Sequence, residues 1–263
     1  DPDHPERDAA REVLGRFATR AFRRPADEAF VSKLVAVYDA ARARGDGHEP
    51  AVGQALVAVL VAPRFLLRLE SDRPDETGPY PVDAHELATR LSFFLWSRPP
   101  DERLAEIAAE GSLLEPACLE EQARRLLADP RSQALADHFL GQWLGLRDLE
   151  DHQVDHKRFP EFDEALRLAI REELRSLLGG MIRDNRPFTE IIDGRHTYLN
   201  ERLARHYSIE GVSGDAMRRV DVPDRRRGGA LTTAAVLMLQ SDPGRTNVPR
   251  RGNYIADRIL GDP

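Results

Sequence analysis

Few side chains in this sequence stand at spacings that do chemistry. His152 and His156 lie four residues apart with Asp151 and Asp155 beside them, a spacing that on a helix would aim both imidazoles at one divalent metal. The stretch from Asp148 to Lys157 lacks apolar periodicity and is no HExxH, so it reads as a solvated loop, and the two histidines are weak metal candidates only. His138, beside Phe139 and Leu140, reads as a packed or capping histidine. Cys118 follows Pro116 at a helix start, where the dipole would lower a thiol pKa, but with no histidine nearby it reads as a small packing residue. No GxSxG elbow, P-loop or GxGxxG is present, and Arg226-Arg227-Gly228-Gly229 lacks the lysine and preceding strand of a phosphate cradle. The arginines carry the clearest signal. Arg226, Arg227, Arg245, Arg250 and Arg251 offer planar forks for a carboxylate or phosphate, or else pair with the acidic remainder of the chain. Asn200, His206 and Tyr207 would line a cleft with these arginines, and no residue is assigned as catalytic.

The elements that must position these groups are helices. Ala10, Val13, Leu14, Phe17 and Phe22 recur near a 3.6-residue period, as do Phe30, Leu34, Val37 and Tyr38. A third segment, 50–69, is apolar nearly all round and is expected at the centre of a small bundle, kinked at Pro63. These form an N-terminal three-helix module, 1–71. The Pro- and Gly-rich stretch 71–81 reads as a linker. Asp83 and Glu86 then open a helix with a capping-box pattern, and further helices follow over 101–110, 116–128, 130–144 and 162–183, with Gly179-Gly180 weakening the last. Trp96 and Trp143 read as core anchors. A central helical module is drawn at 82–215, with Asn200 capping a short helix, and a C-terminal arginine-bearing segment at 216–263 packs on it. The expected fold class is mainly α, a multi-helix orthogonal or bundle-like architecture with few or no strands.

Composition sets the outer limits. The chain has 263 residues, 41% hydrophobic, 32% charged and 6% aromatic, which favours helices. Its net charge of −7 argues against a general nucleic-acid binder. Residues 216–263 carry nine arginines against five aspartates, so that end is electropositive. A single cysteine excludes an internal disulfide, a multi-cysteine zinc site and a CxxCH haem attachment within these residues. No apolar run approaches the roughly 20 residues of a membrane span, and the opening Asp1-Pro2-Asp3-His4 is not the start of an export signal.

Three strings carry a resemblance. Phe17 to Pro25 with "APRFLLRLE" resembles the N-terminal helical module of a planctomycete- and myxobacterial-type family in which domains of unknown function occur in tandem. "ELATRLSFFLWSRPPDERL" (86–104), "LADPRSQALADHFLGQWLGLRDLED" (127–151) and "TYLNERLARHYSIEGVSG" (197–214) resemble its central module, and 226–263 its third. Such proteins are large and exported, with a c-type cytochrome module after the third domain. The resemblance thus implies a periplasmic or otherwise extracytoplasmic redox setting, c-type haem on an adjacent domain, no cofactor in these residues, and a c-type cytochrome as partner. It implies a helical scaffold or docking module that is not itself catalytic; the alternatives are part of an oxidoreductase completed by a haem domain, or a metal-assisted hydrolase.

Overall fold

The computed structural model describes residues 5–72, 75, 77–222 and 227–262; Arg226 lies outside them. Thirteen α-helices and two short antiparallel strand pairs make up its regular structure among these residues, a mainly α fold. The chain divides into two compact units, 1–126 and 127–263.

The first unit begins with α1 (Pro5–Phe22), α2 (Glu28–Ala43) and α3 (His48–Leu60). They meet through small or branched side chains: Ala10, Leu14 and Ala18 of α1, Leu34 and Ala41 of α2, and Ala51, Ala55 and Val59 of α3. Alanine at these contacts lets the helix backbones approach closely. Asp27 caps α2 by accepting the Phe30 N–H at 2.7 Å. The expected single helix over 50–69 is broken. Pro63 opens a separate turn, α4 (Pro63–Leu66), because it has no N–H to continue the ladder of α3. Nor is this segment central: Val57, Val61, Leu66, Leu67 and Leu69 are exposed, and only one stripe of α3 faces the core. An apolar residue on a small helix bundle does not need a partner to cover it.

α5 (Ala84–Trp96), α6 (Glu102–Ala109) and α7 (Pro116–Ala128) follow. The Asp83/Glu86 capping box forms as its spacing predicts: the Glu86 N–H donates to Asp83, and the Asp83 N–H donates to the Glu86 carboxylate at 2.9 Å. Trp96 is buried and its indole N–H reaches the Leu126 carbonyl at 2.8 Å. The linker read at 71–81 falls inside this unit, because Arg24 binds Asp83, Arg90 grips Glu70, and the Ser71 N–H donates to Glu86.

The second unit holds α8 (Gln133–Trp143), α9 (Glu164–Arg183), α10 (Glu190–Asp193), α11 (Glu201–Tyr207), α12 (Ala234–Leu239) and α13 (Val248–Ile255), the last running on into a π-helical turn at Ala256–Leu260. α9 is its spine: Leu166, Ile170, Leu174 and Leu177 are fully buried on one stripe, and Ala230, Ala235 and Tyr254 from the C-terminal segment share that core. α9 runs through Gly179 and Gly180 to Arg183. Both are buried near its C-terminal end, and a Cβ there would collide with Gln133 and with the Tyr198 side chain, so the missing side chains are what let those neighbours seat. Two strands that hydrophobic alternation is too short to reveal, β1 (His196–Leu199) and β2 (Arg218–Asp221), pair antiparallel with His196 opposite Asp221. The Ser241–Gly244 turn is a hairpin joining β3 (Ser241–Asp242) to β4 (Arg245–Thr246).

Candidate functional site

The second unit contains a cleft of about 370 Å³ whose walls are Leu144 to Asp148, His152, the end of α12, and α13 with the turn after it. Its geometry begins at Asn247, whose side chain accepts the Arg250 N–H at 3.0 Å and starts α13, with Pro249 in the first turn. One helical face then presents Arg250, Asn253, Tyr254 and, a turn further, Asp257 to the cleft. The opposite wall is latched to the same hairpin: the Asp155 N–H donates to the Pro243 carbonyl at 3.0 Å, and Arg158 reaches the Gly244 carbonyl.

Tyr254 forms the floor. It is 9% exposed, donates to the Leu144 carbonyl at 3.3 Å, and burial pushes its phenol up to about 12, so it acts as a neutral hydrogen-bonding group at ordinary pH. Arg258 is tied down by the Asp257 carboxylate at 2.9 Å, and its carbonyl accepts the Trp143 indole N–H at 2.7 Å. Arg250 is different: it is exposed at the rim, and no carboxylate lies within ion-pair distance of its guanidinium among the described residues. His152 is held below the usual imidazole range by burial and then by the charges of Arg167 and Arg250, so near pH 7 it is neutral and can donate or accept. The cleft thus sets the Arg250 guanidinium, a neutral imidazole and the Asn253 amide beside two carboxylates, Asp148 and the Arg258-paired Asp257, so an anionic group entering from solvent would meet Arg250 at the rim.

The other residues that sequence pattern singled out separate into different roles. Arg245 pairs with Asp242 across the hairpin, and Arg251 points inward to the Leu237 carbonyl and the Ser241 hydroxyl, leaving its buried Nε without a partner. Arg245, Arg250 and Arg251 therefore do not form one surface. Asn200, His206 and Tyr207 do not line the cleft that Arg250 borders either. Asn200 is used as a cap, accepting the Leu203 N–H at 2.9 Å, and the Tyr207 hydroxyl is turned into the core. Arg227 does join this group, its guanidinium 4.2 Å above the Tyr207 ring, and burial followed by the Arg227 charge lowers His206. His138 is exposed on α8 instead of packed, while Trp143 is half-buried against Phe139 and Phe188. His156 is exposed, its ring 6.2 Å from that of Phe162, and because the segment is a loop it shares no helical face with His152. Among the described residues no cluster of three or more His, Cys, Asp or Glu side chains could hold a metal. Cys118 is half-buried and free.

Sequence pattern overlooked one group entirely. Glu173 is 0% exposed, accepts the Thr197 hydroxyl at 2.6 Å and the Tyr207 hydroxyl at 2.5 Å, and the Ala234 N–H donates to that same Tyr207 oxygen at 2.7 Å. Burial pushes its carboxyl up to about 7, with the two hydroxyls and Arg227 pulling the other way. The signal was available: Glu173 falls seven residues after Leu166 and four before Leu177, an acid in phase with an apolar stripe.

Comparison with known families finds two matches. Residues 82–209 match the model described as PSD4, a protein of unknown function (DUF1592), and residues 9–70 match that described as PSD5, a protein of unknown function (DUF1595). The chain thus carries two domains of unknown function in tandem. Neither a curated protein nor a solved structure matches it. No helix among the described residues is long and apolar enough to cross a membrane.

Proposed function

We propose that this tandem of helical domains is a docking module of an extracytoplasmic c-type-cytochrome protein, itself non-catalytic, and that its second unit seats an acidic group of the haem-bearing partner in the Arg250 cleft. The observation that carries the reading is the contrast among the arginines of the tail: Arg245 and Arg258 are ion-paired with Asp242 and Asp257, whereas Arg250 stands at the rim of a cleft whose walls also carry Asp148 and Asp257, with no carboxylate of the described residues within ion-pair distance of its guanidinium. A guanidinium in that position makes no close ion pair with the described residues and is available to a carboxylate or a haem propionate of another molecule. A c-type haem needs two thioether cysteines; with Cys118 alone, these residues do not fit the group, so it belongs to the partner in this reading and no step of chemistry passes through this chain. The periplasmic or extracytoplasmic setting rests on the family resemblance.

Isolation from the native source tests the context. An intact mass well above 29.6 kDa with a Soret band, or a haem protein that copurifies, supports the proposal; a protein of 29.6 kDa with no haem partner overturns it. Arg250→Ala should then weaken association with the isolated cytochrome domain and flatten its dependence on ionic strength. Unchanged binding by that variant removes the cleft from the proposal.

A further inference from the structure

The first unit contains a second concavity, about 300 Å³, at the end of α1, the chain after α4 and the first two turns of α5. Residues of both tandem domains line it, and its chemistry is dominated by Arg23, Arg24, Arg68 and Arg90. The acids around it are already engaged. Glu70 is gripped by both nitrogens of the Arg90 fork, Asp83 is taken by Arg24, and the Glu86 carboxylate accepts the backbone N–H groups of Asp83 and Ser71. Two cations are left over. Arg68 lies 4.9 Å above the Phe93 ring and Arg23 lies 5.9 Å from the same ring, and among the described residues neither has a carboxylate within ion-pair distance.

Arg23 is held there at a cost. Its φ of 60° is left-handed, a conformation that a side chain bearing a Cβ adopts at a penalty of about 1 kcal/mol. Its guanidinium is braced by the Arg64 carbonyl at 2.7 Å and the Leu67 carbonyl at 2.9 Å, both from one nitrogen, and by the Ala21 carbonyl at 3.3 Å from the other, neutral acceptors that orient the group without cancelling its charge. Burial, and then the charge of Arg68, lowers its pKa, the direction expected of a cation facing another cation. Strained backbone that aims a charge at a like charge, over a concavity, is an arrangement that an anion completes.

We infer that this pocket is a binding site for a small oxyanion, a phosphate, sulfate or carboxylate group carried on a small molecule and held between the Arg23 and Arg68 guanidinium groups. The uncommitted Arg68 fork matches the several acceptor oxygens of such a group, Arg23 adds its charge and its remaining N–H groups, and the shared aromatic ring keeps the two guanidinium groups in place. The ligand is distinct from the partner proposed for the second unit, and neither reading depends on the other.

Titration calorimetry on the whole chain with sodium phosphate, sulfate and acetate, each against chloride at matched ionic strength, tests the inference. Saturable one-to-one binding of at least one oxyanion is expected, with the ranking of the three naming the group. Arg68→Gln is the decisive variant, because Arg68 makes no hydrogen bond to the described residues and its loss leaves the fold intact. It should weaken binding about tenfold or more, whereas Arg98→Gln, an exposed arginine away from the pocket, should bind as the parent does. Equal heats for oxyanions and chloride, or undiminished binding by Arg68→Gln, overturn the site.

Discussion

Glu86 in the first unit and Glu173 in the second are both withdrawn from solvent, 7% and 0% exposed, yet their carboxyls move in opposite directions. Burial pushes each upward. At Glu86 the backbone N–H groups of Asp83 and Ser71 outweigh it and the carboxyl stays below its ordinary value. At Glu173 burial is complete, the two hydroxyls, the Arg227 charge and the Ala234 N–H fall short of it, and the carboxyl rises to about 7. The lesson is one of depth: donors hold a withdrawn carboxylate negative at Glu86, which borders a concavity, whereas at Glu173, wholly enclosed beside the α9 core, a comparable set of donors does not offset the loss of water. Glu86 is built to be an anion. Glu173 is a buried hub joining α9, β1, α11 and α12 whose carboxyl takes up a proton near neutral pH, well above the ordinary carboxylate range.

The sharpest way to break this comparison is Glu173→Ala. It leaves the Thr197 and Tyr207 hydroxyls without their acceptor and opens a cavity beside Leu174 and Leu177, so urea unfolding at pH 6 should show a loss of about 3 kcal/mol or more. A loss below about 1 kcal/mol would mean the hub is dispensable.

Next in size is the pH dependence. The folded value of Glu173 lies above the ordinary 4.5, so its contribution is complete below about pH 4.5 and is lost as pH rises through about 7, on the order of 3 kcal/mol in all. Thermal melts from pH 5 to pH 8 should show this decline in the parent and a flatter profile in Glu173→Gln, which cannot ionise. Identical slopes would contradict it.

Glu86→Ala is expected to cost less, about 1 to 2 kcal/mol, because one half of a capping box and the bond to Ser71 are lost while the Asp83 half persists. Its pH sense is reversed. The advantage of the parent over Glu86→Ala is present above the ordinary 4.5 and fades as pH falls through the depressed folded value, which acid denaturation of the two proteins measures. The smallest effect belongs to Arg250→Ala, which should stay within about 0.5 kcal/mol of the parent in the same melts, since its guanidinium has no folding partner among the described residues. A larger loss would show Arg250 to be structural and would undercut its role in docking.

How far the sequence reached depended on range. The capping box at Asp83 and Glu86, the cap at Asn200 and the apolar stripes of α1, α2 and α9 were legible, because each is decided within a few residues by backbone donors and a 3.6-residue period. The mainly α class followed from them. The candidate sites were far less legible. Arg245, Arg250 and Arg251 look equivalent in the sequence, and the hairpin and α13 turn one to Asp242, one to the cleft and one into the core. Tyr207 read as a cleft residue because nothing local says that its hydroxyl meets Glu173, 34 positions away.

The sequence by itself determined the helices, their caps, the positive tail and the impossibility of an internal disulfide. The tertiary structure alone decided the pairing of β1 with β2, the floor of the cleft where Tyr254 meets the Leu144 carbonyl 110 positions away, and which arginines keep a free charge. Local elements are set by propensity and by hydrogen bonds that span three or four residues. A site is set by which distant groups are desolvated together, and that becomes defined only when α9 and the segments around it close into one core.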